Sequence, residues 1–207
     1  DFEEGRIRYA LGFLYWQQEE WAAVVTSLRP MLEHKKLQKA DNRDKALFML
    51  GQSYYRMYDH ERGAKAIGAL IREHPRFEAI EEAYVHAARG LAETKQWSEL
   101  DLNHRRFVSE WSESDKRPRM DLYAALSMIG QGKGPAGLAN LKSLADGETY
   151  EDVKADACFH LAMHLQSDKP PKPQAALDYL EKSVAIYPRE TACLEAARTS
   201  MELYQWD

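Results

Sequence analysis

No run of apolar residues in this chain approaches the roughly 18 needed to cross a bilayer. Cysteine is nearly absent: Cys158 and Cys193 are the only two. Both fall on expected helices, and helix axes stacked about 8–10 Å apart would hold them beyond disulfide reach. They read as two small core residues, and they leave the redox compartment open. Valine, isoleucine and threonine are sparse, and no segment alternates with a period of two, so no sheet is expected. A surplus of one charge is also missing. The 28 basic and 33 acidic residues are well mixed for a net charge of −5. That balance gives no global pull toward nucleic acid or an anionic membrane. No secretory signal opens the chain. It starts at Asp1 without a methionine and reads as a segment of a longer protein, leaving room for a targeting segment or lipid anchor outside it.

What is present is repetition. The hydrophobic fraction of 44% and charged fraction of 29% suit a folded, soluble chain. Ala, Leu, Glu, Lys, Arg and Gln dominate, all good helix formers. Apolar residues recur three and four apart, as in Leu11, Leu14, Tyr15 and Phe48, Leu50, Tyr54, Tyr55. A pair ending in a small residue returns at Leu11-Gly12, Leu50-Gly51, Ala87-Ala88, Ala124-Ala125 and Leu161-Ala162. The successive spacings are 39, 37, 37 and 37 residues. A period of about 20–50 residues marks a solenoid, in which each unit buries its apolar face only against its neighbours.

The breaks are equally regular. Helix pairs divide near Gln18-Glu19, Asp59-His60, Lys95-Gln96, Gln131-Gly134 and Asp168-Pro173. Units divide near Lys39-Asp44, His74-Arg76, Ser112-Pro118, Asp146-Thr149 and Pro188-Glu190. Pro75 and Pro188 stop helices where the next unit begins. Asp44, Ser98 and Asp146 are candidate capping or turn residues. The expected organisation is one repeat domain over 1–207. Its units are approximately 4–40, 41–76, 77–114, 117–149 and 150–188, followed by a final helix over 190–205.

Inside each hairpin the spacing resembles the tetratricopeptide repeat. The second unit carries the resemblance best, in Leu50, Gly51, Tyr54, Gly63, Ile67 and Pro75. The first shows Leu11, Gly12, Tyr15, Trp21 and Leu28. The fifth shows Leu161, Ala162, Ala176, Leu180, Ser183 and Pro188. The third and fourth units are degenerate. The family unit is about 34 residues, so these units are slightly long. The resemblance implies an all-α, right-handed superhelical solenoid of antiparallel helix hairpins, about five and a half repeats. Gly12, Gly51 and Ala88 would let the first helix of a unit approach the second. Long, divergent units also look like those of bacterial periplasmic and membrane-associated members. Sel1-like repeats are an alternative, matched loosely at Gly130–Gly134.

The resemblance further implies a concave face lined by the first helix of each unit. Its N-terminal half offers Tyr9, Phe13 and Trp16, then Lys45, Phe48, Gln52, Tyr55 and Arg56, then Arg89. Aromatics and arginine are the usual anchors of a binding surface, and a groove of this kind suits a peptide. Two readings of Tyr9, Phe13 and Trp16 stand: a partner surface, or packing against a further unit or subunit. The lysine and asparagine that hold a peptide carboxy-terminus in chaperone-binding members are matched here by Tyr9 and Phe13. That use is not expected.

Other motifs have plain explanations. Asp156, His160 and His164 share a helix stripe with metal-ligand spacing, but Leu161 breaks the zinc-protease order. Gly130-Gln131-Gly132-Lys133-Gly134-Pro135 lacks the Ser/Thr after lysine and the preceding strand of a phosphate loop. No nucleophile turn or tuned acid pair emerges. The expected function is therefore a non-catalytic scaffold binding a protein or peptide, with no cofactor, no nucleic acid and no membrane insertion. Alternatives are self-association through the end repeats within a larger assembly, and recruitment for a larger enzyme. The helix over 190–205 motivates the first, because Leu194, Ala197, Met201 and Leu203 need a cover.

Overall fold

The computed structural model describes residues 2–204. Among them lie eleven α-helices, one short 3-10 turn at Lys35–Leu37, and no strand. The hairpins are α1 (Phe2–Gln17) with α2 (Trp21–Glu33), α3 (Arg43–Arg56) with α4 (His60–Glu73), and α5 (Ile80–Glu93) with α6 (Trp97–Glu110). They continue as α7 (Arg117–Gly130) with α8 (Gly134–Asp146), and α9 (Glu151–Ser167) with α10 (Pro173–Ile186). α11 (Glu190–Tyr204) follows; position 205 of the expected final helix lies outside the described residues. Contacts divide the chain after Lys116 into two compact units, α1–α6 and α7–α11.

The hairpin turns repeat one backbone device. Glu19, Tyr58, Lys95 and Gly132 all adopt the left-handed conformation, with φ of 58°, 60°, 57° and 80°. Their spacing of 39, 37 and 37 residues is that of the small-residue pairs. After each of them the chain closes back on the helix. The N–H of Glu20 donates to the Tyr15 carbonyl (3.0 Å), Asp59 to Tyr54 (2.9 Å), Gln96 to Leu91 (2.8 Å) and Lys133 to Met128 (2.8 Å). These bonds satisfy carbonyls that a helix end leaves open. Only the fourth turn uses glycine, the residue that adopts this conformation without steric cost.

The three expected caps are not the ones used. The Asp59 carboxylate caps α4 by accepting from the Arg62 N–H at 3.1 Å. Asp44 and Ser98 lie inside α3 and α6, which begin one residue earlier, at Arg43 and Trp97. Asp146 ends α8 and pairs with Lys182 at 2.8 Å. A left-handed residue stands just before α2, α3, α4, α6 and α8.

Small residues bring the paired helices together. A β-carbon on Gly51 of α3 would lie 2.5 Å from the Ile67 side chain of α4. One on Gly137 of α8 would lie 2.6 Å from the Ala125 carbonyl of α7. Around these contacts Val24, Leu28, Met31, Leu50, Ile67 and Leu70 are wholly buried in the first unit. Leu141, Cys158, Ala162 and Leu180 are wholly buried in the second. Each large side chain contributes about 1.5–3 kcal/mol by leaving water. Cys193 departs from the expected pair of core cysteines: it is exposed on α11, and only Cys158 is buried. A one-sided helix hides only one stripe, and position 193 falls on the other.

Polar contacts between successive units keep the same register. Ser114 donates to Glu81, Arg119 pairs with Asp152 and Asp156, Arg189 pairs with Asp156, and Gln166 donates to Thr199 at 2.6 Å. Every one of these joins residues 33 or 37 positions apart.

Candidate functional site

The first compact unit holds a groove of about 400 Å³ lined by Trp16, Trp21, Gln52, Tyr55, Arg56, Tyr58, His86 and Arg89. α1, α3 and α5, the first helices of three consecutive hairpins, supply Trp16, then Gln52, Tyr55 and Arg56, then His86 and Arg89. Trp21 opens α2, and Tyr58 is the left-handed residue of the α3–α4 turn. That conformation leaves the Tyr58 ring 82% exposed at the rim.

Tyr55 forms the floor. Its ring is buried and lies where a β-carbon on Gly63 would be 2.5 Å away. A β-carbon on Gly90 would meet its hydroxyl at the same distance. Two glycines on α4 and α5 thus make the space this ring fills. The imidazole of His86 stacks on the Tyr55 ring, with centroids 6.0 Å apart and an angle of 22°. Phe48 meets His86 edge-on at 5.7 Å. Burial pushes the His86 imidazole below its ordinary 6.5; Glu82 opposes the shift, and Arg89 and Arg56 add to it. The ring is therefore neutral at pH 7 and accepts from the Gln52 amide at 3.3 Å.

The cations of the groove are differently placed. The Arg56 guanidinium lies 5.7 Å over the Trp21 ring, a cation–π contact. Arg56 and Arg89 are both exposed, and neither pairs with a carboxylate among the described residues. No aspartate or glutamate lines the groove. The neighbouring Glu82 is engaged by Lys116 at 3.7 Å.

Five of the residues expected from the sequence meet here: Trp16, Gln52, Tyr55, Arg56 and Arg89. Four lie outside the lining. Tyr9 is half-buried against the first core cluster and stacks on Phe13 at 6.2 Å. Phe13 is exposed. Lys45 is exposed beside Glu78 at 3.6 Å. Phe48 packs on Phe77 at 5.3 Å as well as on His86. Sequence reasoning missed Trp21, Tyr58 and His86. The signal for His86 was present, because Glu82, His86, Arg89 and Glu93 form one continuous helix stripe. Nothing in the local pattern marks Tyr58, whose direction is set by its backbone.

In the second compact unit, Asp156 is held by Arg119 and Arg189, so it is an ion-pair partner rather than a free stripe residue. His164 Nε2 lies 3.5 Å from Asp168. Among the described residues no three histidines, cysteines or carboxylates converge as a metal site requires. No described helix is long and apolar enough to cross a membrane.

No protein-family model matches this chain, and no curated protein is significantly similar to it. Solved structures are. One described as "MamA RS-1 ArsTM double mutant" superposes with a TM-score of 0.60 at 13% identity, over 88% of this chain and 94% of that one. Another, a Podosopora anserina putative kinesin light chain with nearly identical TPR-like repeats, gives a TM-score of 0.56 at 14% identity. It covers 87% of this chain and 93% of that one. The chain therefore has the fold of a tetratricopeptide-like repeat array, built of consecutive helix hairpins.

Proposed function

We propose that this chain is a non-catalytic scaffold that binds a protein or peptide partner through the groove of its first compact unit. The observation that carries this reading is the lining itself. Four aromatic side chains and two arginines from three consecutive hairpins converge on one concavity. Aromatic and arginine side chains dominate the energetics of binding surfaces, and concave faces are what repeat arrays provide. Phe13 and Lys45 are exposed on α1 and α3, outside the groove lining.

The test is affinity capture from native extract with the native chain and with Phe13→Ala and Arg56→Ala variants. Both residues are exposed, so melting by circular dichroism is expected to stay unchanged. A partner retained by the native chain and lost by Arg56→Ala supports the reading. Equal retention by all three moves the binding surface elsewhere.

Self-association is a second reading, favoured by two apolar stripes. Phe2, Ile7, Leu11 and Leu14 are exposed on α1, and Leu194 and Met201 on α11. Stripes of this kind mark interaction surfaces when contiguous. Sedimentation of the native chain and of Leu11→Glu would separate the readings. A native oligomer that Leu11→Glu dissociates supports self-association, and a native monomer at high concentration rejects it.

A further inference from the structure

No aspartate or glutamate lines the groove, and neither of its two guanidiniums pairs with a carboxylate among the described residues. We infer that it is built for an acidic segment of the partner protein, with Arg56 and Arg89 holding partner carboxylates beside the aromatic floor. This rests on the peptide-binding reading above and specifies its chemistry. Several other cations of the first compact unit are matched. Arg43 pairs with Glu73 at 2.7 Å, Arg62 with Asp59 at 2.9 Å and Lys116 with Glu82 at 3.7 Å. Arg56 instead spends its face on Trp21 and keeps its N–H edge open. A guanidinium carries its N–H donors in its own plane in a fixed fork, which suits a carboxylate.

An acidic peptide fits better than nucleic acid. Aromatics interleaved with arginine also occur where single strands bind, but such sites track several phosphates along a basic groove. Here there are two cations in a chain of net charge −5. That number suits one or two carboxylates.

The test pans a displayed library of random short peptides on the full chain, on Arg56→Gln/Arg89→Gln, and on Arg56→Lys/Arg89→Lys. Enriched sequences are then synthesised with Glu and with Gln at the selected positions, and their affinities measured by calorimetry at low and high salt. Enrichment of Asp or Glu is expected. The Glu peptide should bind about tenfold or more tightly than its Gln counterpart. That preference should shrink with salt, vanish in the Gln double variant and survive in part in the Lys variant. Enrichment without acidic preference, or a preference that persists in Arg56→Gln/Arg89→Gln, overturns this inference and leaves the groove as a peptide site. Enrichment that is equally strong in a Gln52→Trp variant, whose added ring obstructs the groove, overturns the groove reading and this inference with it. Tighter binding of oligouridine than of any enriched peptide overturns it in favour of nucleic acid.

Discussion

The Gln52 amide donates to Nε2 of His86 across 3.3 Å, joining α3 to α5 through residues 34 positions apart. The imidazole must stay neutral for this bond, and its burial keeps it so. The unfolded chain protonates near the ordinary 6.5 while the folded one resists. Stability therefore falls as pH drops below that value. His86→Phe keeps a ring against Tyr55 and Phe48 but removes the titration. The expected outcome is a smaller drop in melting temperature between pH 7 and pH 5 than in the native chain.

Glycines in this fold are not equivalent. Gly51→Ala drives a methyl group to 2.5 Å from Ile67 between α3 and α4. Overpacking of this kind costs about 1–3 kcal/mol. Gly68 in α4 meets only the far end of Arg72, at 3.5 Å. Gly68→Ala therefore gains helix propensity without a clash, about 0.5–1 kcal/mol. Urea unfolding of the two variants should give shifts of opposite sign.

Lys95 occupies a left-handed position with φ of 57°. A residue with a β-carbon pays about 1–2 kcal/mol there. Lys95→Gly relieves that strain, offset by the greater entropy of glycine in the unfolded chain, and should stabilise by up to about 1 kcal/mol. Gly132→Ala should cost a similar amount at the equivalent turn, where φ is 80°. Denaturant midpoints for both variants check the pair.

Arg43 is 1% exposed, yet charged. Its Nε and Nη2 donate to Glu73 at 2.8 and 2.7 Å, tying the start of α3 to the end of α4. Glu73→Ala leaves a buried guanidinium without a counter-ion. A loss of about 3–5 kcal/mol is expected. Arg43→Met/Glu73→Ala, which removes the charge as well, should recover much of it. A double-mutant cycle by chemical denaturation measures the difference.

The small-residue pairs and the breaks were legible because backbone demands repeat. Gly12 and Gly51 have to be small where two helices touch, and Pro75 and Pro188 follow the ends of α4 and α10. The same logic makes the left-handed turns recur with the period of the repeat, although Glu19, Tyr58 and Lys95 disguise it by not being glycine. The eleven helices and absence of strands among the described residues, and the unit length of about 37, thus follow from local chemistry acting along the chain.

What faces what was decided only in three dimensions. Periodicity marks a stripe on a helix about half a turn wide, and a neighbour settles which edge is covered. Tyr55 reads as an exposed anchor in the sequence, but Gly63 and Gly90 open a slot that buries its ring. Asp156 reads as a metal-ligand candidate until Arg119 and Arg189 close on it from sites 37 and 33 residues away. Tyr58 joins the groove because a left-handed backbone turns it there, and Cys193 is exposed because no described helix covers its side of α11. Local sequence determines helices and turns through short-range sterics and hydrogen bonds. The binding surface depends on the contacts of side chains a whole unit apart, which only the packed chain brings together.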